Sequence, residues 1–354
     1  MSEKIPVAVL AATGSVGQRF VQLLDGHPRL RVVALTGSDR AIGQTYRSAC
    51  HWILPEAMPE WAAEMVIVPS EPGPAMNGAR VAFSALPTEI AQGVEPAYAR
   101  AGLVVCSNAS AFRQEPDVSI LFPEVNPDQA AIVPVQRRLR GWPGAIVTNS
   151  NCTSAGLTVV LKALQDAFGV SRAFVVSLQA VSGAGYPGVP SLDILDNVIP
   201  YVGGNEEGKV ENEPRKMLGR VVGDAIVPAD FRISAHTNRV AVSDGHLVCL
   251  SVELQAKATL EDVARALAGY QAPEISRDLP SAPRPPIVLR SEPDRPQPRL
   301  DRWTGNGMTT VVGRLRPDPL FDYKMVILSH NTVRGAAGGS IYNAELLDAL
   351  GLIG

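Results

Sequence analysis

Near its start the chain reads Pro6-Val7-Ala8-Val9-Leu10, then Ala11-Ala12-Thr13-Gly14-Ser15-Val16-Gly17, then an apolar pattern at Phe20, Val21, Leu23 and Leu24. A short unbroken apolar run suits a strand buried on both faces of a parallel sheet. A glycine turn and a helix after it make the layout of a dinucleotide-binding βαβ unit, where small residues let a pyrophosphate approach a helix N-terminus. The motif departs from its usual form at Ala11, which stands where the first glycine is expected. A second strand, Leu30 to Leu35, arrives at the right distance. An NAD site would usually end that strand with Asp or Glu. Here the turn is Thr36-Gly37-Ser38-Asp39-Arg40. Ser38 and Arg40 suit a 2′-phosphate, Arg through charge-assisted hydrogen bonds, whereas Asp39 repels one unless it points away. The turn favours NADP over NAD.

Further strands are expected at Val81 to Pro87 and Leu103 to Ala109, both ending in small polar residues. Ligands of doubly wound sheets bind beyond the carboxyl ends of the strands. Ser84, Ala85, Leu86 and Asn108 therefore belong near the cofactor, and Arg113, just past the second turn, is a phosphate candidate. The 354 residues imply about two domains, and a 46% hydrophobic content allows sizeable cores. A net charge of -3 with 19% charged residues announces no nucleic-acid surface, and Arg137-Arg138-Leu139-Arg140 reads as a solvated turn. No apolar run approaches the ~20 residues of a membrane span. Met1 to Ile5 has no signal-peptide layout. The four cysteines, Cys50, Cys106, Cys152 and Cys249, form no CxxC pair and no zinc spacing. A reducing cytoplasm and no metal are the expectation.

Cys152 stands out among them. It lies in Thr148-Asn149-Ser150-Asn151-Cys152-Thr153-Ser154, directly before a helical pattern at Leu157, Val160, Leu161, Leu164 and Phe168. Asn149, Ser150 and Asn151 are N-cap candidates. At a helix N-terminus, unpaired N–H groups and the macrodipole favour the nucleophilic thiolate. The same place also suits an inert small residue packed at a helix start.

Downstream, Ser171 to Val181 reads as a strand ending in Ser182-Gly183-Ala184-Gly185. The charged stretch Ile199 to Lys216 reads as a solvated loop. Ile233 to Val242 and His246 to Leu254 suggest a strand pair joined by Ser243-Asp244-Gly245, a turn that would expose the ring of His246. His246 is the favoured base for Cys152, with His236 and His330 as competitors. Leu279 to Pro298 is proline-rich and suits a loop or edge excursion. A short apolar helix follows Gly335-Ala336-Ala337-Gly338-Gly339.

Several stretches together resemble aspartate-β-semialdehyde dehydrogenases of the archaeal and fungal-like branch. They are Ala12 to Gly17, Phe83 to Pro87, Ser107 to Arg113, Pro123 to Asn126, Ser150 to Thr153, Gln179 to Gly185, Asn238 to Val240 with Asp244 to His246, and Asn331 to Gly338, in family order over nearly the whole chain. The resemblance implies a reversible conversion of L-aspartate 4-semialdehyde, phosphate and NADP+ into 4-phospho-L-aspartate and NADPH. This step feeds lysine, threonine, methionine and isoleucine biosynthesis. It makes Cys152 the nucleophile, His246 the acid/base, Gln179 a substrate-orienting group and Arg239 the anchor of the substrate carboxylate. Arg113 and Lys216 match the phosphate-binding pair, Glu213 the group that holds the substrate ammonium, and Asn151 joins the substrate set. Thr13, Gly14, Ser15, Val16, Ser38, Arg40, Ser84, Ser182, Gly183 and Asn331 fall in NADP-contacting segments.

The implied architecture is α/β. A Rossmann-like NADP-binding domain, 1–150 with helix 335–354 returning to it, joins an α+β catalytic and dimerisation domain, 151–334, built on a mixed sheet as in glyceraldehyde-3-phosphate dehydrogenase. A cytoplasmic homodimer or homotetramer is expected, with small-molecule substrate and phosphate as its partners. The rival readings are a related acyl-CoA reductase such as malonyl-CoA reductase, a non-catalytic NADP-binding protein, and a cysteine peptidase. Arg113, Glu213 and Lys216 favour the amino-acid substrate.

Overall fold

The computed structural model describes residues 3–354. Its first sheet holds six parallel strands: β1 (Ile5–Leu10), β2 (Leu30–Thr36), β3 (Ile67–Val68), β4 (Val81–Ser84), β5 (Val104–Ser107) and β6 (Ala145–Thr148), ordered β3-β2-β1-β4-β5-β6. The order reverses direction at β1, which places a crevice beyond the carboxyl ends of β1 and β4. β1, β4, β5 and β6 are almost wholly buried, which explains their unbroken apolar runs.

The turn after β1 shows what Ala11 does. Its φ is 57°, the left-handed region that glycine adopts without strain. Gly17 has a different constraint, because a Cβ there would lie 2.2 Å from the Ala11 carbonyl oxygen. The helix Ser15–Leu23 therefore packs directly on the turn. Gly14 caps it without a side chain, so its first N–H groups stay free.

The second sheet is mixed. Its strands are β7 (Val170–Gln179), β8 (Ile199–Pro200), β11 (Arg232–Arg239), β12 (His246–Leu254), β13 (Ile287–Leu289), β14 (Thr310–Pro317) and β15 (Tyr323–Ser329), ordered β13-β14-β15-β12-β7-β11-β8. A separate hairpin comprises β9 (Arg220–Val222) and β10 (Ala225–Val227). β11 and β12 do not pair with each other, contrary to the expected hairpin. β7 lies between them, parallel to β11 and antiparallel to β12. The Ser243-Asp244-Gly245 turn thus steps over a strand.

Helix Cys152–Phe168 is buried along most of its length and packs against one face of this sheet. The closing helix Gly338–Ala349 contributes Ile341, Tyr342, Leu346 and Leu347 to the same apolar core as Val7 and Val9 of the first sheet and Phe20 of the helix Ser15–Leu23. Two further expectations change. The stretch read as a solvated loop contains a helix, Glu206–Met217, with Glu206, Val210, Glu213, Lys216 and Met217 buried on one face. Arg137, Arg138 and Arg140 form the last turn of helix Ile132–Arg140, where cations suit the dipole, and Arg140 pairs with Asp117. The proline-rich segment holds the edge strand β13. No described helix is long and apolar enough to cross a membrane.

Candidate active site

Cys152 is the first residue of its helix. Asn151 is the N-cap, its side chain accepting from the N–H groups of Thr153 (2.9 Å) and Ser154 (3.3 Å). The Cys152 Sγ lies 3.2 Å from His246 Nε2. The ring of His246 is buried rather than exposed, because β12 begins against the end of β7 instead of in an open hairpin. The N–H of Ala180 donates to His246 Nδ1 at 3.1 Å. A neutral imidazole that accepts at Nδ1 carries its proton on Nε2. An N–H therefore faces the sulfur.

The charge state differs from the sequence expectation. Burial, reinforced by Glu206, pushes the Cys152 thiol up to about 12, against the pull of Arg113 and Arg239. Burial, with Arg239 and His330, lowers His246 to about 3. The resting pair is a neutral thiol and a neutral imidazole; desolvation outweighs the helix N-terminus.

His330 is also lowered to about 3, first by burial. Both imidazoles stay neutral in the folded chain, whereas unfolded histidine takes a proton near pH 6.5. Protons thus favour the unfolded chain below that value. Stability is full above about pH 7 and is lost as the pH falls toward 3, by roughly 1 kcal/mol per histidine at pH 5.5. Thermal unfolding should show a midpoint several degrees lower at pH 5.5 than at pH 7.5; a flat profile would contradict the neutral burial of these rings.

The two sheets meet around a cleft of about 810 Å³, lined by Thr13 to Val16, Ala85, Leu86, Asn108, Arg113, Asn151, Cys152, Gln179, Ser182, Gly183, Glu206, Lys209, Arg239 and Asn331. Strand register explains the grouping. Arg239 pairs with Gln179 across β11 and β7, and Leu247 pairs with Leu178 across β12 and β7. Gln179, Arg239 and His246 therefore end three adjacent strands. Arg239 is held by its bond to the Ala180 carbonyl (2.8 Å). A Cβ on Gly183 would lie 2.7 Å from the Arg239 guanidinium and 3.1 Å from the His246 ring. Asn331 ties the cleft together: its Oδ1 accepts from Gly245 N–H and its Nδ2 donates to Ser182 Oγ, both at 2.8 Å.

Not every expected residue lines this cleft. Ser84 is wholly buried beneath it, and Ser38, Asp39 and Arg40 are exposed beyond the end of β2. Glu213 is fully buried, accepting from Arg113 (3.0 Å) and from Asn151 N–H. Lys216, lowered to about 8 by burial, donates to the carbonyls of Arg113 (2.7 Å) and Glu115 (2.6 Å). Neither of these two borders the cleft. Glu206 and Lys209, which the sequence reading missed, do. Glu206 Oε1 accepts from Asn151 Nδ2 (2.7 Å) and Gln179 Nε2 (3.2 Å), and Lys209 Nζ lies 3.5 Å from Oε2. A signal was present: Glu206, Lys209, Glu213 and Lys216 are spaced three, four and three residues apart, one face of a helix.

Family models and relatives give this geometry a place. Residues 6–132 match the semialdehyde dehydrogenase NAD binding domain and residues 161–334 the semialdehyde dehydrogenase dimerisation domain. An aspartate-semialdehyde dehydrogenase of Archaeoglobus fulgidus is 48% identical over 96% of this chain and 97% of its own length. The chain belongs to the aspartate-semialdehyde dehydrogenase family. The Schizosaccharomyces pombe member is 45% identical over 98% of this chain and 99% of its own. The Candida albicans aspartate semialdehyde dehydrogenase, solved with NADP, has a TM-score of 0.91 at 40% identity, covering 99% of this chain and 100% of that one. The NAD-binding match takes in β2 to β5 and most of β1, and the dimerisation match takes in every strand of the second sheet.

Proposed function

We propose that this enzyme interconverts L-aspartate 4-semialdehyde plus phosphate with 4-phospho-L-aspartate, using NADP and a thioester at Cys152. The observation that carries the reading is the Cys152–His246 contact of 3.2 Å at a cleft that opens onto both the glycine turn and the charges of Arg113, Glu206, Lys209 and Arg239. The residues suit the dinucleotide: the helix after Gly14 keeps free N–H groups, and Ser38 and Arg40 are exposed for a 2′-phosphate. When bound, NADP accepts or returns a hydride at the substrate carbon.

The chain's own groups supply the remainder. Cys152 Sγ bonds to the aldehyde carbon once its proton leaves to solvent, giving a thiohemiacetal. The Nε2–H of His246 stabilises first the thiolate and then the developing oxyanion, so its role leans toward donor rather than base. The oxyanion's electron pair re-forms the C=O bond as the hydride leaves that carbon, which gives the thioester. Phosphate oxygen then attacks the acyl carbon, the C–S bond breaks and Cys152 leaves as thiolate, again facing the imidazole N–H. Arg113 and Lys209 hold the phosphate. Glu206 takes the substrate ammonium, displacing Glu213 from the role that the resemblance implied. Gln179 and Asn151 orient the acyl group. The covalent step splits one hard reaction into two.

Arg239 grips the substrate carboxylate through two parallel N–H bonds that a lysine cannot reproduce. Arg239→Lys should raise the aspartate semialdehyde KM by about 10- to 100-fold and leave NADP+ affinity within about twofold. Equal losses in both would remove Arg239 from the substrate site.

The test of the whole reading is NADP+ reduction with aspartate semialdehyde, with and without phosphate, repeated with NAD+ and with malonyl-CoA as the alternative acyl substrate in reverse. Phosphate-independent turnover, or turnover with malonyl-CoA alone, would overturn it. We further assign residues 1–150 and 335–354 to the cofactor domain and 151–334 to a catalytic and dimerisation domain, through which the chain forms a homodimer or homotetramer. Four unpaired cysteines suit the reducing cytoplasm.

A further inference from the structure

We propose that Glu213 is a positioning residue that locks the phosphate-binding guanidinium of Arg113 to the start of the nucleophile's helix. The proposal rests on the assignment of Arg113 to phosphate.

Glu213 has no exposed surface, and both of its oxygens are taken by donors of the protein itself, so neither is left for a substrate. Its two oxygens reach two different elements. Oε1 accepts from Arg113 NH1 at 3.0 Å, and Oε2 accepts from the N–H of Asn151. Asn151 is the N-cap immediately before Cys152. One buried carboxylate therefore joins the loop beyond β5 to the residue that starts the catalytic helix. Arg113 has a second anchor, its NH2 donating to the Asn108 carbonyl at 2.6 Å. A planar guanidinium held at two corners cannot rotate. Arg113 itself borders the cleft, so the N–H groups not spent on Glu213 and Asn108 remain for a ligand. Lys216, three residues along the same helix, holds the backbone of that loop through the carbonyls of Arg113 and Glu115. Helix Glu206–Met217 thus presents Glu206 and Lys209 to the cleft and spends Glu213 and Lys216 on aligning what lies opposite.

The chemistry needs this alignment. Phosphate must meet the thioester carbon along a defined line, and a shift of about 1 Å is enough to lose much of the rate. Glutamine at 213 has the shape of glutamate, but its amide N–H₂ faces either the Arg113 or the Asn151 N–H, leaving one of them unpaired.

The test is steady-state kinetics of Glu213→Gln in the full-length enzyme, in the phosphate-dependent direction, with circular dichroism and thermal unfolding as the fold check. The phosphate KM should rise about tenfold or more, with the KM values for aspartate semialdehyde and NADP+ within about twofold of wild type. In an Arg113→Gln background the same change should add no further rise. A lower melting temperature with unchanged phosphate KM would make Glu213 merely structural. A rise in the aspartate semialdehyde KM instead would return it to the substrate ammonium, and parallel rises in all three would equally overturn the proposal. If the glutamine variant does not fold, Glu213→Asp retains the charge yet falls short of spanning both partners, and must give the same split. Wild-type turnover that ignores phosphate would instead fail the underlying assignment of Arg113, a separate outcome visible before any variant is made.

Discussion

Cys152→Ser should lower phosphate-dependent turnover by on the order of 10⁴-fold or more while NADP+ affinity stays within about twofold. Serine keeps the size, the helix N1 position and the facing imidazole. It changes the nucleophile. An alcohol ionises far less readily than a thiol, and His246 already carries its proton on the nitrogen that faces the side chain, so it offers no base there. The ester formed would also be a poorer acyl donor to phosphate than a thioester. The variant should bind NADP+ by fluorescence titration and fail to release NADPH in a stopped-flow burst. Near wild-type turnover would remove Cys152 from the chemistry.

Gly335→Ala is the second large effect, and its cause is steric. Gly335 sits in the π-helical turn Val333–Ala337, packed against the start of the catalytic helix. A Cβ there would lie 2.9 Å from both Cα and Cβ of Cys152 and 3.2 Å from its carbonyl oxygen. These are backbone and near-backbone atoms, so no flexible side chain can yield. Either the turn or the helix start must move, at a cost of about 1–3 kcal/mol. A displaced sulfur loses its line to the substrate, and kcat should fall about 10²-fold. Thermal unfolding and turnover measured together decide it: an unchanged midpoint with wild-type kcat would show that the turn relaxes freely.

Much of the fold was legible in local pattern. The unbroken apolar runs of β1 and β4 and the small residues from Thr13 to Gly17 each describe their own environment, because burial on both faces and a tight turn restrict residue type directly. Cys152 at a helix start was legible for the same reason: Asn151 is a side chain that caps. Pairing was not. Ser243-Asp244-Gly245 looks like a hairpin turn whether or not the flanking strands touch, and only the insertion of β7 separates β11 from β12. The helix Glu206–Met217 was obscured because its buried face interleaves Glu206, Glu213 and Lys216 with Val210 and Met217, which breaks the apolar pattern. A hydrophobic pattern cannot register a face buried through ion pairs and backbone carbonyls.

By itself the sequence determined the class of the protein: a dinucleotide turn, a cysteine at a helix N-terminus, and Arg239 seven residues before His246. These features depend on residues close along the chain, whose geometry is set by local sterics and capping. The tertiary structure decided which charges face the substrate. It turned Glu206 and Lys209 into the cleft, committed Glu213 and Lys216 to Arg113 and its loop, and desolvated the Cys152–His246 pair enough to hold both neutral. The physical reason is that desolvation and ion pairing arise from groups distant in sequence, and their balance exists only once the sheets and helices have packed.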